Sequence, residues 1–211
     1  MIPLLHIITD DDILSRKGFL DGAQSLMAAG KGKVVFHLRG PGLPGKRIYE
    51  LAQALKKPAK KSGALFLVND RVDVALALDL PGVHLSQRSL PPVEARALIG
   101  HDKVLGVSTH VVREAVEAER GTGEFLLVGT LFATPSHPDG EPGGVERMDE
   151  VSPATSLPLI GIGGTTPDRV REVMEVGGHG VAVRSGIWEA EDPVGAVGTF
   201  LEEIEGFRKS E

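Results

Sequence analysis

Short, almost uniformly apolar runs alternate along the chain with stretches whose apolar residues recur every three or four positions. The runs fall at residues 4–9, 33–39, 64–69, 82–85, 103–108, 125–129, 158–163 and 180–184. Val34-Val35-Phe36 and Phe125-Leu126-Leu127-Val128 lack the in-out alternation of a half-exposed strand, so they read as parallel strands buried on both faces. Between the runs, Ile48, Leu51, Ala52 and Leu55 keep helical spacing, as do Val170, Val173 and Met174, and then Val194, Val197, Leu201 and Ile204. Thr166 before Pro167 and Asp192 before Pro193 are helix starts, and Gly121 and Gly177 are stops. Strand starts recur about every 25 residues, and eight such units predict a closed (β/α)8 TIM barrel of eight parallel strands. Residues 1–211 are expected to form a single domain, with an open doubly wound sheet as the alternative. The weakest elements are the short fourth strand and the sixth helix, which Pro153 interrupts. The longest stretch without periodicity is 130–144, and a loop of that length in a compact barrel is expected to be functional or mobile.

Composition narrows the classes. With 211 residues, 41% of them hydrophobic, and a mean hydropathy of +0.01, the chain can bury a large core. Its 23 basic and 29 acidic residues leave a net charge of −6, which argues against a nucleic-acid backbone or an anionic membrane as partner. The absence of cysteine removes disulfides, thiolate zinc sites and a cysteine nucleophile together. No apolar run approaches the roughly 20 residues of a membrane span, and Met1-Ile2-Pro3-Leu4 lacks a charged leader, so the expected location is cytoplasmic.

In such a barrel the chemistry sits where strands end. Asp10, Arg39, Asn69, Asp70, Ser86, Gln87, Ser108, Thr134, Gly163, Gly164, Ser185 and Gly186 would then ring one mouth, although each alone also suits a turn or cap. The strongest signal is the last pair of loops. Gly163-Gly164 and Ser185-Gly186 both carry a strand into a helix through glycine, the arrangement that binds a phosphate after strands seven and eight. Arg39 could grip phosphate or a heterocycle with its planar fork, and His37, two residues earlier, faces the same way either as a substrate contact or as a buried hydrogen-bonded imidazole. Asn69 could read a ring edge. Asp70 could hold a hard cation, although one carboxylate is thin support for Mg²⁺. Asp10, Asp11 and Asp12 read as a helix-capping cluster. For acid-base work the candidates are His110 and His137, while His84 suits a satisfied barrel position and His101 and His179 fall at the opposite rim.

At these residues the chain resembles the thiamine-phosphate synthase and thiazole tautomerase superfamily over nearly its whole length. The resemblance is carried by Ile8-Thr9-Asp10, His37-Leu38-Arg39, Val68-Asn69-Asp70-Arg71-Val72-Asp73, Gly82-Val83-His84-Leu85, Gly106-Val107-Ser108-Thr109-His110, the run from Val128 to Thr134, Ile162-Gly163-Gly164 and Gly180-Val181-Ala182-Val183. It implies a small phosphorylated thiazole as ligand, held at Gly163, Gly164, Ser185 and Gly186. For a synthase it also implies a pyrimidine pyrophosphate on Arg39 and Asn69, pyrophosphate contacts from Ser108 and Thr134, and Mg²⁺ on Asp70. No metal is implied for a tautomerase. A homodimer fits the family, but subunit number stays open.

Departures from the synthase pattern favour the tautomerase. His37-Leu38-Arg39-Gly40-Pro41 stands where a synthase has Gln-Leu-Arg-Glu-Lys, Ser89 replaces a second metal aspartate, and His137 replaces a loop lysine. Fewer cations aimed at a leaving pyrophosphate predict weak synthase turnover. The preferred expectation is therefore tautomerase-like proton transfer by His137 or His110, since the family's histidine position is Thr130 here. Synthase activity is the alternative, and a non-catalytic ligand-binding or scaffold protein is the third reading.

Overall fold

The structure is a computed structural model that describes residues 1–134 and 142–209. Eight parallel strands, β1 (Leu5–Ile8), β2 (Val34–Leu38), β3 (Leu65–Asn69), β4 (Gly82–Leu85), β5 (Val104–Thr109), β6 (Phe125–Val128), β7 (Leu159–Ile162) and β8 (Gly180–Val183), pair in sequence order. β8 pairs back onto β1 through Leu5 opposite Val181, so the barrel is closed and no strand edge remains. Every predicted strand is present, including the short fourth one, and the open-sheet alternative falls away.

Helices α1 (Asp11–Ser15) and α2 (Phe19–Ala29) follow β1, and one helix follows each of the next six strands: α3 (Gly45–Ser62), α4 (Val72–Ala77), α5 (Pro92–Ile99), α6 (Val112–Arg120), α7 (Glu146–Val151) and α8 (Val170–Glu175). The chain closes with α9 (Ser185–Trp188) and α10 (Pro193–Lys209). α3 buries Ile48, Leu51, Ala52 and Leu55 as their spacing requires. In α10, Val197, Leu201 and Ile204 are buried, but Val194 is 47% exposed and Phe200 takes the inward place. Asp192 caps α10 by accepting from the Gly195 N–H at 3.0 Å. Thr166 makes no such bond, because Pro167–Arg169 winds as a tight 3-10 turn before α8 begins. Pro153 likewise ends α7, and Ser152–Ala154 continues only as a 3-10 turn.

Two apolar layers hold the barrel. The larger lies between strands and helices, and the smaller fills the interior with Ile8, Val35, Leu67, Phe125, Leu127, Ile160 and Ala182. His6, His37 and His84 share that interior and are buried to 1% exposure or less. Gly106 makes room for them, since a methyl group there would meet the Phe125 ring and stand 2.7 Å from His84 Nδ1. Among the described residues no helix is long and apolar enough to cross a membrane.

Candidate active site

The residues that end the strands surround one cavity of about 1250 Å³ at the C-terminal mouth of the barrel. Interior side chains Ile8, Leu127, Ile162 and Ala182 line its floor. The β2–β5 arc contributes Arg39, Asn69, Asp70, His84 and Ser108, and the β6–β8 arc contributes Thr134, Gly163, Gly164, Ser185 and Gly186. Both predicted groups therefore face the same space. A pocket for one drug-sized ligand spans roughly 300–1,000 Å³, so this volume leaves room for two small reactants side by side.

Backbone ties set the first arc. Buried Thr9 accepts from the Arg39 N–H at 2.8 Å and donates to the Arg39 carbonyl at 2.8 Å, which fixes the end of β2. Asn69 ends β3 and is 8% exposed, its amide at the cavity wall. Asp70 follows in the left-handed region at φ 62°, with its N–H donating to the His84 carbonyl at 2.9 Å. Its carboxylate accepts from the Ser86 N–H at 2.6 Å and the Ser86 hydroxyl at 3.0 Å, which leaves lone pairs for a cation. Among the described residues no three His, Asp or Glu side chains converge as ligands, so a cation here would rest on Asp70 and on oxygens of the ligand. That is the usual manner of holding Mg²⁺ at a phosphate site.

His84 Nε2 lies 2.8 Å from Ser108 Oγ, while its Nδ1 is buried without a partner. Burial, then His37 and Arg39, hold this imidazole well below its ordinary pKa, so it is neutral and carries a single ring proton. A buried N–H without a partner is costlier than a bare lone pair on nitrogen, which places the proton on Nε2. His84 therefore donates to Ser108, and the serine hydroxyl proton is free to point into the cavity.

The second arc depends on its glycines. Gly163 and Gly164 have φ of 104° and 62°, and a Cβ on them would stand 2.5 Å from Thr130 Cγ2 and from the Ala133 carbonyl oxygen respectively. The Gly163 carbonyl accepts from the Phe132 N–H at 3.0 Å, so the loop is seated on the segment after β6. Arg169 donates to the Gly164 carbonyl at 3.3 Å and stacks over the Phe132 ring at 4.5 Å. Arg184 pairs with Asp10, which also caps α1 by accepting from the Ile13 N–H at 2.9 Å.

One expectation is corrected here. His37 does not touch the cavity, because it is fully buried beneath Asn69 with its Nδ1 3.3 Å from the Asn69 amide oxygen. Beside Asp10, Asp70 and Asp168, the cavity is lined by Arg39, Arg71, Arg88, Arg169 and Arg184, with Arg184 paired to Asp10 and Arg71 to Asp73; five arginines lie there. Of these only Arg39 could be picked out from sequence, since the others lie in turns and helix starts that the fold alone brings together. His110 stands half-exposed at the rim, 3.7 Å from Glu114. His137 lies outside the described residues.

Comparison with known proteins shows the family and the fold. The family model described as thiamine monophosphate synthase matches residues 5–187. A thiamine-phosphate synthase of Moorella thermoacetica is 40% identical over 174 residues, covering 82% of this chain and 82% of the relative. One from Clostridium tetani is 34% identical over 203 residues, 96% of this chain and 94% of the relative. Among solved structures, a thiamine phosphate pyrophosphorylase from Pyrococcus furiosus superposes with a TM-score of 0.83 at 29% identity, covering 97% of this chain and 96% of that one.

Proposed function

Because the chain belongs to the thiamine monophosphate synthase family, we propose that it joins a pyrimidine methyl diphosphate to a thiazole phosphate, releasing diphosphate and thiamine phosphate. The relatives' names support this synthase reading over the tautomerase reading that the sequence departures favour. The observation that carries it is the single cavity with room for two reactants, lined on one arc by Arg39, Asn69, Asp70 and Ser108 and on the other by the glycine loops.

The chemistry needs no titrating side chain. The bond from the pyrimidine methylene carbon to the diphosphate oxygen breaks with its electron pair on oxygen. The thiazole nitrogen then donates its lone pair to that carbon, forming the new bond and a thiazolium. No proton moves, so a neutral buried His84 and a threonine at position 130 are no handicap. A tautomerase would need an acid-base group. Among the described cavity residues the imidazoles are His84, already committed to Ser108, and His110 at the rim.

Asn69 reads the pyrimidine edge, and Arg39 with the Ser108 hydroxyl faces the departing diphosphate. Gly163, Gly164, Ser185 and Gly186 hold the thiazole phosphate, with Thr134 beside them. Asp70 would hold Mg²⁺ here, and the ion would supply charge neutralisation of the leaving group. Arg39, Arg88 and Arg169 at the mouth supply cationic groups where two lysines of the synthase pattern are missing, so turnover is expected to be substantial rather than weak.

The test is formation of thiamine phosphate and diphosphate in equal amounts from both reactants with Mg²⁺. Failure at high enzyme concentration, together with isomerisation of a carboxylated thiazole phosphate offered alone, would reinstate the tautomerase.

A further inference from the structure

A file of polar groups runs up the inside of the barrel to the cavity. At its base His6 Nε2 lies 3.1 Å from the Pro3 carbonyl oxygen. His6 Nδ1 lies 2.9 Å from His37 Nε2, and His37 Nδ1 in turn lies 3.3 Å from the Asn69 amide. Both imidazoles are fully buried, with Phe125 edge-on to His6 at 4.9 Å.

Donor and acceptor roles propagate along this file. A carbonyl only accepts, so His6 Nε2 carries a proton. Burial lowers the pKa of His6 well below its ordinary value, and the nearby imidazoles of His37, His84 and His179 disfavour a proton on it further. No carboxylate compensates, so His6 is neutral and its Nδ1 bears a bare lone pair. His37 must then donate from Nε2. Burial also pushes His37 down to about 4, so its Nδ1 has no proton. The group facing that nitrogen has to be a donor, and of the two ends of the Asn69 amide only Nδ2 qualifies. With Oδ1 in that place two acceptors would meet; the amide rotated by half a turn satisfies both groups.

We propose that His6 and His37 are positioning residues that lock the Asn69 amide with Nδ2 bound inward and Oδ1 turned to the cavity, so that the site selects a heterocycle whose edge presents an N–H donor. The alternative amide orientation would require a proton on His37 Nδ1, hence an imidazolium on His6 or His37 in a fully buried place without a counter-charge. Selection follows from polarity, since a buried Oδ1 without a donor is left unpaired and a ring offering only acceptors is rejected. The tautomer assignment is independent of the reaction. The substrate consequence rests on the synthase reading.

The test is long-range ¹⁵N–¹H correlation of the histidine rings in the ¹⁵N-labelled full chain near pH 7. The expected result is His6 and His37 both neutral and both protonated at Nε2. A His37 protonated at Nδ1, or either ring as imidazolium, would overturn the proposal whether or not the protein makes thiamine phosphate. Kinetics give a second readout. His6→Phe removes the acceptor that fixes the His37 tautomer. It should raise KM for the pyrimidine reactant at least about tenfold while KM for the thiazole phosphate stays within about twofold. His6→Gln, which restores an acceptor, should recover most of the loss. Equal changes in both KM values, or no change, would refute the relay, and if the phenylalanine variant does not fold the ring assignment still decides.

Discussion

Acidification should unfold this barrel in a pH range where its carboxylates are silent. His37 is pushed down to about 4 by burial, against about 6.5 for a free imidazole. His6 and His84 are shifted the same way by burial first, and half-buried His179 follows. Only the unfolded chain can take up these protons, so stability is full above about pH 6.5 and falls as pH drops toward the folded-state values. For His37 alone the loss at pH 5 is roughly 2 kcal/mol. Each imidazole that stays neutral in the fold adds a slope of at most about 1.4 kcal/mol per pH unit, so the three interior rings set a ceiling near 4. Carboxylates such as Asp73 and Glu119, held down by hydrogen bonds, have ordinary values of 3.8 and 4.5. Their stabilisation is present above those values and is lost below them, outside the window. The assay is urea unfolding followed by Trp188 fluorescence and circular dichroism at pH 7.5, 6.5, 5.5 and 5.0. His37→Gln should remove about one proton's worth of the slope. A free energy flat between pH 7 and 5, or a slope that His37→Gln leaves unchanged, would refute the interior imidazoles as neutral in the fold.

Further expectations follow from single contacts. Asp70→Asn should lower kcat about a hundredfold and weaken the response to Mg²⁺ titration while leaving the thermal midpoint nearly unchanged, because the amide oxygen still accepts from Ser86. Gly164→Ala places a Cβ 2.5 Å from the Ala133 carbonyl at φ 62°. It should cost about 1–3 kcal/mol in urea unfolding and raise KM for the thiazole phosphate, and a neutral effect on both would contradict the phosphate role of that loop. Arg96, 6% exposed, donates to the carbonyls of Gly100, Lys103 and Thr122 and to Glu124. Arg96→Met should therefore lose roughly 3–5 kcal/mol of stability, measured by calorimetry and denaturant unfolding, without moving either KM.

The barrel was legible in the sequence because parallel strands covered on both faces leave unbroken apolar runs, and α3 shows its buried stripe at Ile48, Leu51, Ala52 and Leu55. The capping reading of the aspartate run holds for Asp10, which caps α1, whereas Asp11 lies within the helix and accepts from the Gly42 N–H at 3.1 Å. Gly163 and Gly164 were visible as glycine, but their positive φ seats the loop on residues 130–133, a packing role that the sequence did not show. What stayed hidden is what needs three dimensions. His6, His37 and His84 occur 31 and 47 residues apart in sequence, and nothing local marks them as neighbours inside a cylinder. Arg88, Arg169 and Arg184 belong to separate loops and converge only at the mouth. The preference for a tautomerase came from motif positions alone, the missing lysines and Ser89 in place of a metal aspartate among them, and such positions do not register arginines that only the fold brings to the mouth.

Binding both reactants against opposite arcs of one mouth can be seen directly in a crystal structure of the protein with thiamine phosphate, diphosphate and Mg²⁺. The account predicts the product's phosphate between Gly164 and Ser185, the pyrimidine against Asn69, and diphosphate beside Arg39, Asp70 and Ser108. A phosphate bound away from the two glycine loops, or a diphosphate that occupies them in its place, would contradict it.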